Sequence, residues 1–185
     1  MKAGRVRVVA GSAGGLWISL PPRFSSRPTQ DRVKQAIFSS LGDAVIGARV
    51  LDLFAGSGSL GIEALSRGAA SCVFVESERA YAETIRKNLD HCHLTGRVIN
   101  QTAETFLKAL NDADFTLVFL DPPYLKEAAD LGRHPLTELL ASRIPSPAVV
   151  VWEHDARNTW TPHPAFQTLK QARYGDSSVL FLKKI

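Results

Sequence analysis

The chain has 185 residues, of which 45% are hydrophobic and 22% charged, with a formal net charge of +4 at pH 7. This composition is typical of a globular domain and argues against a membrane-spanning protein, because no apolar run approaches the ~18 residues that a span needs. The first residues lack the apolar segment of a secretory signal, and Cys72 and Cys92 do not make a disulfide framework. We therefore expect a cytoplasmic protein with reduced thiols, consisting of a main domain (residues 43–185) and a small N-terminal appendage (residues 1–42).

The charge is concentrated at the start of the chain. Residues 1–34 contain seven basic residues and one acidic residue, whereas the remaining 151 residues contain 15 basic and 17 acidic ones. A basic segment on a nearly neutral body is expected of a protein that binds a polyanion. A basic N-terminus that only aids solubility is equally compatible with the charge alone.

Two short strands are predicted first, Val6–Ala10 and Leu16–Leu20, around a flexible turn at Gly11–Gly15. A helix follows, with Thr29 as its N-cap and Gly42 as its end. Its apolar face consists of Val33, Ala36, Ile37 and Leu41. Its first turn is expected to direct basic side chains to solvent or a ligand, namely Arg27, Arg32 and Lys34.

From residue 49 onwards, apolar strand patterns alternate with helical ones. The predicted strands are 50–54, 71–76, 97–100, 115–121 and 148–153, and the predicted helices lie at about 60–67, 79–90, 106–110 and 134–142. A final hairpin is predicted from residues 166–173 and 179–183. Strands separated by helix-length segments predict right-handed crossovers and a parallel sheet, so the fold class is α/β.

The first of these strands leads into a glycine-rich turn. Gly56, Gly58 and Gly61 follow the buried strand pattern and precede a helical one, which is the nucleotide-cofactor entrance of a Rossmann-like sheet. Glu76 ends the second strand 20 residues after Gly56, where a carboxylate can accept hydrogen bonds from both hydroxyls of a ribose. These features leave the cofactor open, and a nicotinamide cofactor remains compatible with them.

The segment Asp121-Pro122-Pro123-Tyr124 follows the fourth strand and indicates a different chemistry. Two prolines fix the backbone, so that the Asp121 side chain and the Pro122 carbonyl become adjacent acceptors. This pair is complementary to a planar amino group on a base, whose lone pair can then turn towards an electrophile while Tyr124 stacks on the base. A hydride transfer needs none of these groups. The alternative is a Pro-Pro turn after an edge strand, without a catalytic role.

Other clusters are weaker candidates. His91, Cys92 and His93 are potential metal ligands, but adjacent residues at a helix end point in different directions, so no metal site is expected. Glu153 and His154 end the fifth strand near the rim of the predicted site, and a surface or structural role is favoured for both over catalysis.

The chain resembles the AdoMet-dependent methyltransferases with a Rossmann-like fold, and more closely the RsmD family, which methylates N2 of a guanine in 16S ribosomal RNA. The resemblance covers almost the whole chain. Its motifs are Arg7–Gly11, Arg27–Val33, Leu51–Ala70, Glu76, Asn88, Asp121–Tyr124 and Arg173–Asp176. It implies a class I methyltransferase fold, a seven-stranded mostly parallel sheet with a C-terminal antiparallel hairpin, preceded by an N-terminal β-hairpin and helix.

The resemblance also implies roles for individual residues. Asp121, Pro122 and Tyr124 are expected to be catalytic, with Asp121 ionised and orienting the target amine. The expected contacts to S-adenosyl-L-methionine (AdoMet) are Asp52, Phe54, Ala55, Gly56, Ser57, Gly58, Ser59, Leu60, Glu76, Ser77, Thr102, Ala103 and Asp121. The expected contacts to RNA are Arg5, Arg7, Arg27, Thr29, Arg32 and Lys34. The expected partner is 16S rRNA or the small ribosomal subunit, and the protein is expected to be a monomer.

The chain departs from the family pattern at two positions. Leu16 and Trp17 follow Gly15 where the family usually has an arginine, which either weakens a phosphate contact or replaces it with stacking on RNA. Thr102 stands where the family tends to have Asp or Asn, and its hydroxyl or a neighbouring backbone N–H is left to hold the cofactor's adenine.

Three other functions remain as alternatives. The first is amino-group methylation of another target, such as DNA adenine or a protein glutamine. The second is RNA binding without catalysis, and the third is an NAD-dependent oxidoreductase, for which no hydride-chemistry residues are evident.

Overall fold

The computed structural model of the chain describes residues 4–21, 28–111, 114–123 and 129–185, with the backbone alone for residues 28–31. Its strands are β1 (Arg5–Arg7), β2 (Trp17–Ser19), β3 (Arg49–Leu53), β4 (Ser71–Val75), β5 (Arg97–Ile99), β6 (Leu117–Leu120), β7 (Val149–Asp155), β8 (Phe166–Tyr174) and β9 (Ser177–Lys184). Its α-helices are α1 (Pro28–Leu41), α2 (Ser59–Ser66), α3 (Arg79–His91), α4 (Ala103–Ala109) and α5 (Pro135–Arg143). Short 3-10 helices occupy Gly42–Val45 and Leu131–Arg133.

Seven strands form one sheet in the order β5-β4-β3-β6-β7-β9-β8. The first five strands of this order pair in parallel, and β9 runs antiparallel to both β7 and β8. The predicted α/β class, seven-stranded sheet and C-terminal hairpin are therefore confirmed. The chain proceeds from β3 to β4 on one side and returns to β6 on the other, so a crevice opens beyond the carboxyl ends of β3 and β6.

The sheet is buried on both faces. Val50 of β3 belongs to a core that α1, α2 and α3 share with the N-terminal hairpin, whereas Leu51 and Leu53 belong to a core shared with α4 and α5. This burial explains the nearly continuous apolar pattern of the central strands. Within the described residues, no helix is both long and apolar enough to cross a membrane.

The N-terminal hairpin is anchored to α2. The predicted flexible turn at Gly11–Gly15 is wrong, because Ser12 and Ala13 donate backbone hydrogen bonds to the carbonyl and hydroxyl of Ser66 at 2.8 and 2.9 Å, and Ala13 is buried. The strands β1 and β2 are also shorter than predicted. The N–H groups of Val9 and Ala10 donate to the side chain of Glu63, at 2.7 and 3.0 Å, instead of extending the ladder.

Glu63 is the centre of a buried polar cluster. Its side chain is 0% exposed and also accepts from Arg67 Nε at 2.7 Å, while Lys34 Nζ lies 3.5 Å from its other oxygen. The Lys34 amine additionally donates to the carbonyl of Arg7 and to Ser59 Oγ. The prediction that the Lys34 side chain faces solvent is therefore wrong, since it is 4% exposed and belongs to this cluster. Its side chain instead borders the cleft at the carboxyl ends of the central strands, and its contact with RNA stays a prediction.

Asn88 connects the hairpin to the glycine-rich turn. Its side-chain oxygen accepts from the Ser19 N–H, and its amide nitrogen donates to the carbonyls of Ser19 and Ser57, all at 2.9 Å. One buried side chain of α3 thus links β2 to the loop between β3 and α2.

We expect Glu63→Ala to lower the free energy of unfolding by about 3–5 kcal/mol, because it leaves the buried Lys34 without its counter-charge and the N–H groups of Val9 and Ala10 without their acceptor. Urea denaturation followed by circular dichroism measures this change. The control is Glu83→Gln. Glu83 is half-exposed and paired with the exposed Arg79, so this substitution should alter stability by no more than about 0.5 kcal/mol. Equal effects of the two substitutions would contradict the role given to Glu63.

Candidate functional site

A cleft of about 640 Å³ opens at the carboxyl ends of the central strands. It is lined by all but one of the predicted cofactor contacts: Asp52, Phe54, Ala55, Gly56, Ser57, Ser59, Leu60, Glu76, Ser77, Thr102, Ala103 and Asp121. The exception, Gly58, lies beside the cleft with Ile85 behind it. Pro122 and Pro123 also line the cleft, whereas Tyr124 lies outside the described residues.

The glycine-rich turn has a backbone that few residue types adopt. Phe54 has φ 61°, and Gly58, which directly precedes α2, has φ 79°. Gly58 has no side chain to cap the helix, and Asp52 takes over this role because its carboxylate accepts from the Gly61 N–H at 2.9 Å. Gly61 also allows α2 to approach the sheet, since a Cβ atom there would collide with Phe74.

Glu76 is held in a defined orientation at the end of β4. One carboxylate oxygen accepts from the Gly56 N–H and the other from the Glu78 N–H, both at 2.8 Å. Asn100 donates to the carbonyls of Glu76 and Ser77 at 2.8 and 2.7 Å, which fixes the loop that follows β4. Because each carboxylate oxygen has two lone pairs, Glu76 retains acceptor capacity towards the cleft. Sequence reasoning did not identify Asn100, whose role depends on the pairing of β4 with β5.

Thr102 is the N-cap of α4. Its hydroxyl accepts from the Thr105 N–H at 3.1 Å and donates to Thr105 Oγ1 at 2.9 Å. The hydroxyl is therefore already used in capping the start of α4. The sequence analysis left the Thr102 hydroxyl and a neighbouring backbone N–H as groups that could hold the adenine. Because the hydroxyl is in use, these contacts favour the backbone N–H.

Asp121 lies beside a second carboxylate that the sequence analysis assigned to a surface or structural role. The register pairs Leu120 with Trp152, so that the next residues of the two strands, Asp121 and Glu153, are adjacent. Glu153 lines the cleft, whereas His154 is buried and donates from Nδ1 to the carbonyl of Asp155 at 2.8 Å. The proximity of Asp121 and Glu153 could have been predicted from the parallel sheet, because the carboxyl ends of neighbouring parallel strands lie at the same edge.

The carboxylates of the cleft disfavour one another's ionised forms. Burial, followed by the negative charges of Glu153 and Asp52, raises the pKa of Asp121 well above its ordinary value. The expectation that Asp121 is ionised treated it as an isolated aspartate, whereas these neighbours favour its protonated form. Burial also raises the pKa of Asp52 to about 7. The hydrogen bond from Gly61 lowers this pKa, and the negative charge of Glu76 raises it further. A positively charged ligand would relieve this repulsion.

The predicted RNA contacts fall into different environments. Arg5 and Arg7 are exposed on the outer side of β1, Trp17 is 51% exposed opposite Arg7, and Arg32 is exposed on α1. Lys34 is the exception, since it belongs to the buried cluster around Glu63. Arg27 lies outside the described residues, and Thr29 is described by its backbone alone. That backbone is already helical, because α1 begins at Pro28 rather than after a cap at Thr29.

Potential metal ligands do not converge in the part of the chain that the structure describes. No group of three or more His, Cys, Asp or Glu side chains there has an arrangement that could hold a metal ion.

Comparisons with known proteins identify relatives over most of the chain. The profile of a family described as conserved hypothetical protein 95 matches residues 6–183. The chain is 43% identical over 126 residues to YlbH of Bacillus subtilis, covering 66% of this chain and 68% of that protein. It is 39% identical over 123 residues to ribosomal RNA small subunit methyltransferase D of Escherichia coli (strain K12), covering 66% of this chain and 62% of that protein. The solved structure of yhhF from Escherichia coli has a TM-score of 0.82 and 30% identity, and the match covers 98% of both chains.

We expect the contribution of Asp52 to the stability of the protein to fall as the pH rises from about 4 to 7. Its pKa is about 7 in the folded state and ~3.9 in the unfolded state, so over this range only the folded state keeps the proton. The contribution of Asp52 to the free energy of unfolding then decreases by up to about 4 kcal/mol and levels off above pH 7. Asp52→Asn removes this contribution while its amide oxygen can still accept from Gly61, and denaturation at several pH values measures the difference.

The exposed Asp90→Asn serves as the control for this comparison. The stability of Asp52→Asn relative to the unsubstituted protein should be higher at pH 8 than at pH 5. Curves of Asp52→Asn and Asp90→Asn that run parallel across this range would show that Asp52 does not retain its proton in the folded state.

Proposed function

Because this chain belongs to the conserved hypothetical protein 95 family, the RsmD family that its motifs resemble, we propose that it is an AdoMet-dependent methyltransferase. Its proposed target is the exocyclic N2 of a guanine in 16S rRNA of the small ribosomal subunit. One observation carries the proposal: a single cleft contains the glycine-rich turn and Glu76 on one side and Asp121 with Pro122 on the other. The first half suits a nucleoside cofactor, and the second suits an amino group on a base.

The polar groups that line the cleft fit AdoMet. Glu76, already oriented by two backbone N–H groups, offers further lone pairs to the ribose hydroxyls. AdoMet carries positive charge on its sulfonium and its ammonium group, and a cation in the cleft would relieve the burial and charge repulsion that raise the pKa of Asp52. When bound, it supplies an electrophilic methyl group.

The role of Asp121 and Pro122 is to hold the amine for attack. Two acceptors directed at the N–H groups orient the nitrogen lone pair, and this positioning is the main contribution expected from the protein. Bound AdoMet would supply the methyl group, and Asp121 and Pro122 would hold N2 in line with it while N2 loses its proton to solvent. The guanine has to leave its stack to reach the cleft, as is general for enzymes that modify bases.

The N-terminal segment, residues 1–42, is proposed to contact the RNA. Arg5, Arg7 and Arg32 are exposed cations that suit phosphates, and the exposed Trp17 suits stacking on an unpaired base. Asn88 holds the hairpin to the glycine-rich turn, so bound RNA would lie next to the cofactor.

We further propose that the protein acts in the cytoplasm, where ribosomal subunits are assembled, and that it is a monomer. Light scattering coupled to gel filtration measures the assembly state, and a mass of twice that of the 185-residue chain would contradict the monomer.

Labelled AdoMet, incubated with the protein and with small subunits from cells lacking the activity, should label the RNA. Digestion of this RNA and chromatography of the nucleosides should identify N2-methylguanosine. Label in N6-methyladenosine or in protein would contradict the proposed substrate. Binding of AdoMet without transfer to any of these targets would favour an RNA-binding protein without catalysis.

Two substitutions separate the roles of the two halves of the cleft. Asp121→Ala should lower kcat by about 100-fold or more with little change in AdoMet affinity, because it removes an acceptor for the amine. Asp121→Asn keeps an acceptor oxygen and should retain more activity than Asp121→Ala. Glu76→Ala should weaken AdoMet binding by about 10- to 100-fold, because charged hydrogen bonds contribute about 1.5–3 kcal/mol each.

Calorimetric titration with AdoMet and single-turnover methylation measure these two effects independently. Equal losses of AdoMet affinity in Asp121→Ala and Glu76→Ala would show that the two roles have been assigned incorrectly.

A further inference from the structure

Glu153 lies in the same layer of the cleft as Asp121. Phe119 and Val151, two residues earlier on β6 and β7, pair with each other and face the same hydrophobic core. Because side chains alternate along a strand, Asp121 and Glu153 continue on that face. Both residues and Pro122 line the cleft. The floor of the cleft therefore presents acceptors from two neighbouring strand ends.

A row of adjacent acceptors can distinguish between the purines. The Watson–Crick edge of guanine presents the N1–H donor directly beside the N2 amino group. Adenine presents an amino group beside N1, which has a lone pair and no proton. A carboxylate adjacent to the acceptors of the amino group thus forms a hydrogen bond with guanine and faces a lone pair on adenine.

We propose that Glu153 accepts the N1–H of the target guanine while Asp121 and the Pro122 carbonyl hold its N2 amino group. Glu153 is then the specificity-determining residue that selects guanine. This inference rests on the proposed function and adds a residue and a basis of selection to it. A site built to bind a particular donor rejects an analogue without that donor by as much as about 10⁴-fold.

The test uses small subunits reconstituted with 16S rRNA that carries either guanosine or 2-aminopurine at the target position. 2-Aminopurine retains the amino group at C2 but has a lone pair at N1 and no oxygen at C6. The unsubstituted protein should prefer guanosine by at least about 100-fold in kcat/KM. A ratio near one would overturn the inference without any variant, while methylation of guanosine would still support the proposed function.

Glu153→Gln should reduce this preference by at least about tenfold, because an amide can accept from N1–H or donate to N1. The missing oxygen of 2-aminopurine affects the unsubstituted protein and the variant alike, so the change in the ratio reports on Glu153. Glu153→Asp keeps the carboxylate and should keep the preference at a lower rate. The matched control, the half-exposed Glu83→Gln, should leave the ratio unchanged.

A structural role of Glu153 gives a different result. In that case Glu153→Gln would lower kcat/KM for both nucleotides equally, and the unchanged ratio would overturn the inference. Absence of transfer to guanosine by the unsubstituted protein would instead overturn the proposed function itself. Thermal unfolding and AdoMet affinity of each variant show whether a loss of rate reflects a loss of folding.

Discussion

The hydrogen bond from the Gly61 N–H to the buried carboxylate of Asp52 connects the central strand to the helix that follows it. The glycine-rich turn lies between these two points, so this bond determines its closure and the direction of α2. The same carboxylate borders the cleft, where burial raises its pKa to about 7. One side chain therefore serves both as a helix cap and as part of the electrostatic environment of the site.

Buried polar side chains give the small N-terminal segment a fixed place on the sheet. Glu63 binds the hairpin backbone and Lys34, and Asn88 binds both β2 and the glycine-rich turn. Apolar packing alone would allow the hairpin to slide, because it is non-directional. The directional bonds of these two side chains place the exposed cations of β1 at a defined distance from the cleft.

Local patterns in the sequence were sufficient to predict the alternating strands and helices, the parallel sheet and the residues of the glycine-rich turn. The errors concern contacts between distant segments. Lys34 was assigned to solvent because its partner Glu63 lies on another helix, and the turn at Gly11–Gly15 was considered flexible because its anchor is Ser66. The ionisation of Asp121 depends on Glu153, whose proximity follows from strand pairing rather than from neighbouring residues.

The position of β9 between β7 and β8 has a consequence for synthesis of the chain. In the sheet, β7 pairs with β6 on one side and with β9 on the other, and β9 is the last strand to be made. A nascent chain that already contains β7 consequently keeps an apolar strand edge open until β9 emerges, a period in which edge-to-edge aggregation is a hazard. A chain truncated before β9 would retain that edge permanently, which makes it a natural target for chaperones and proteases.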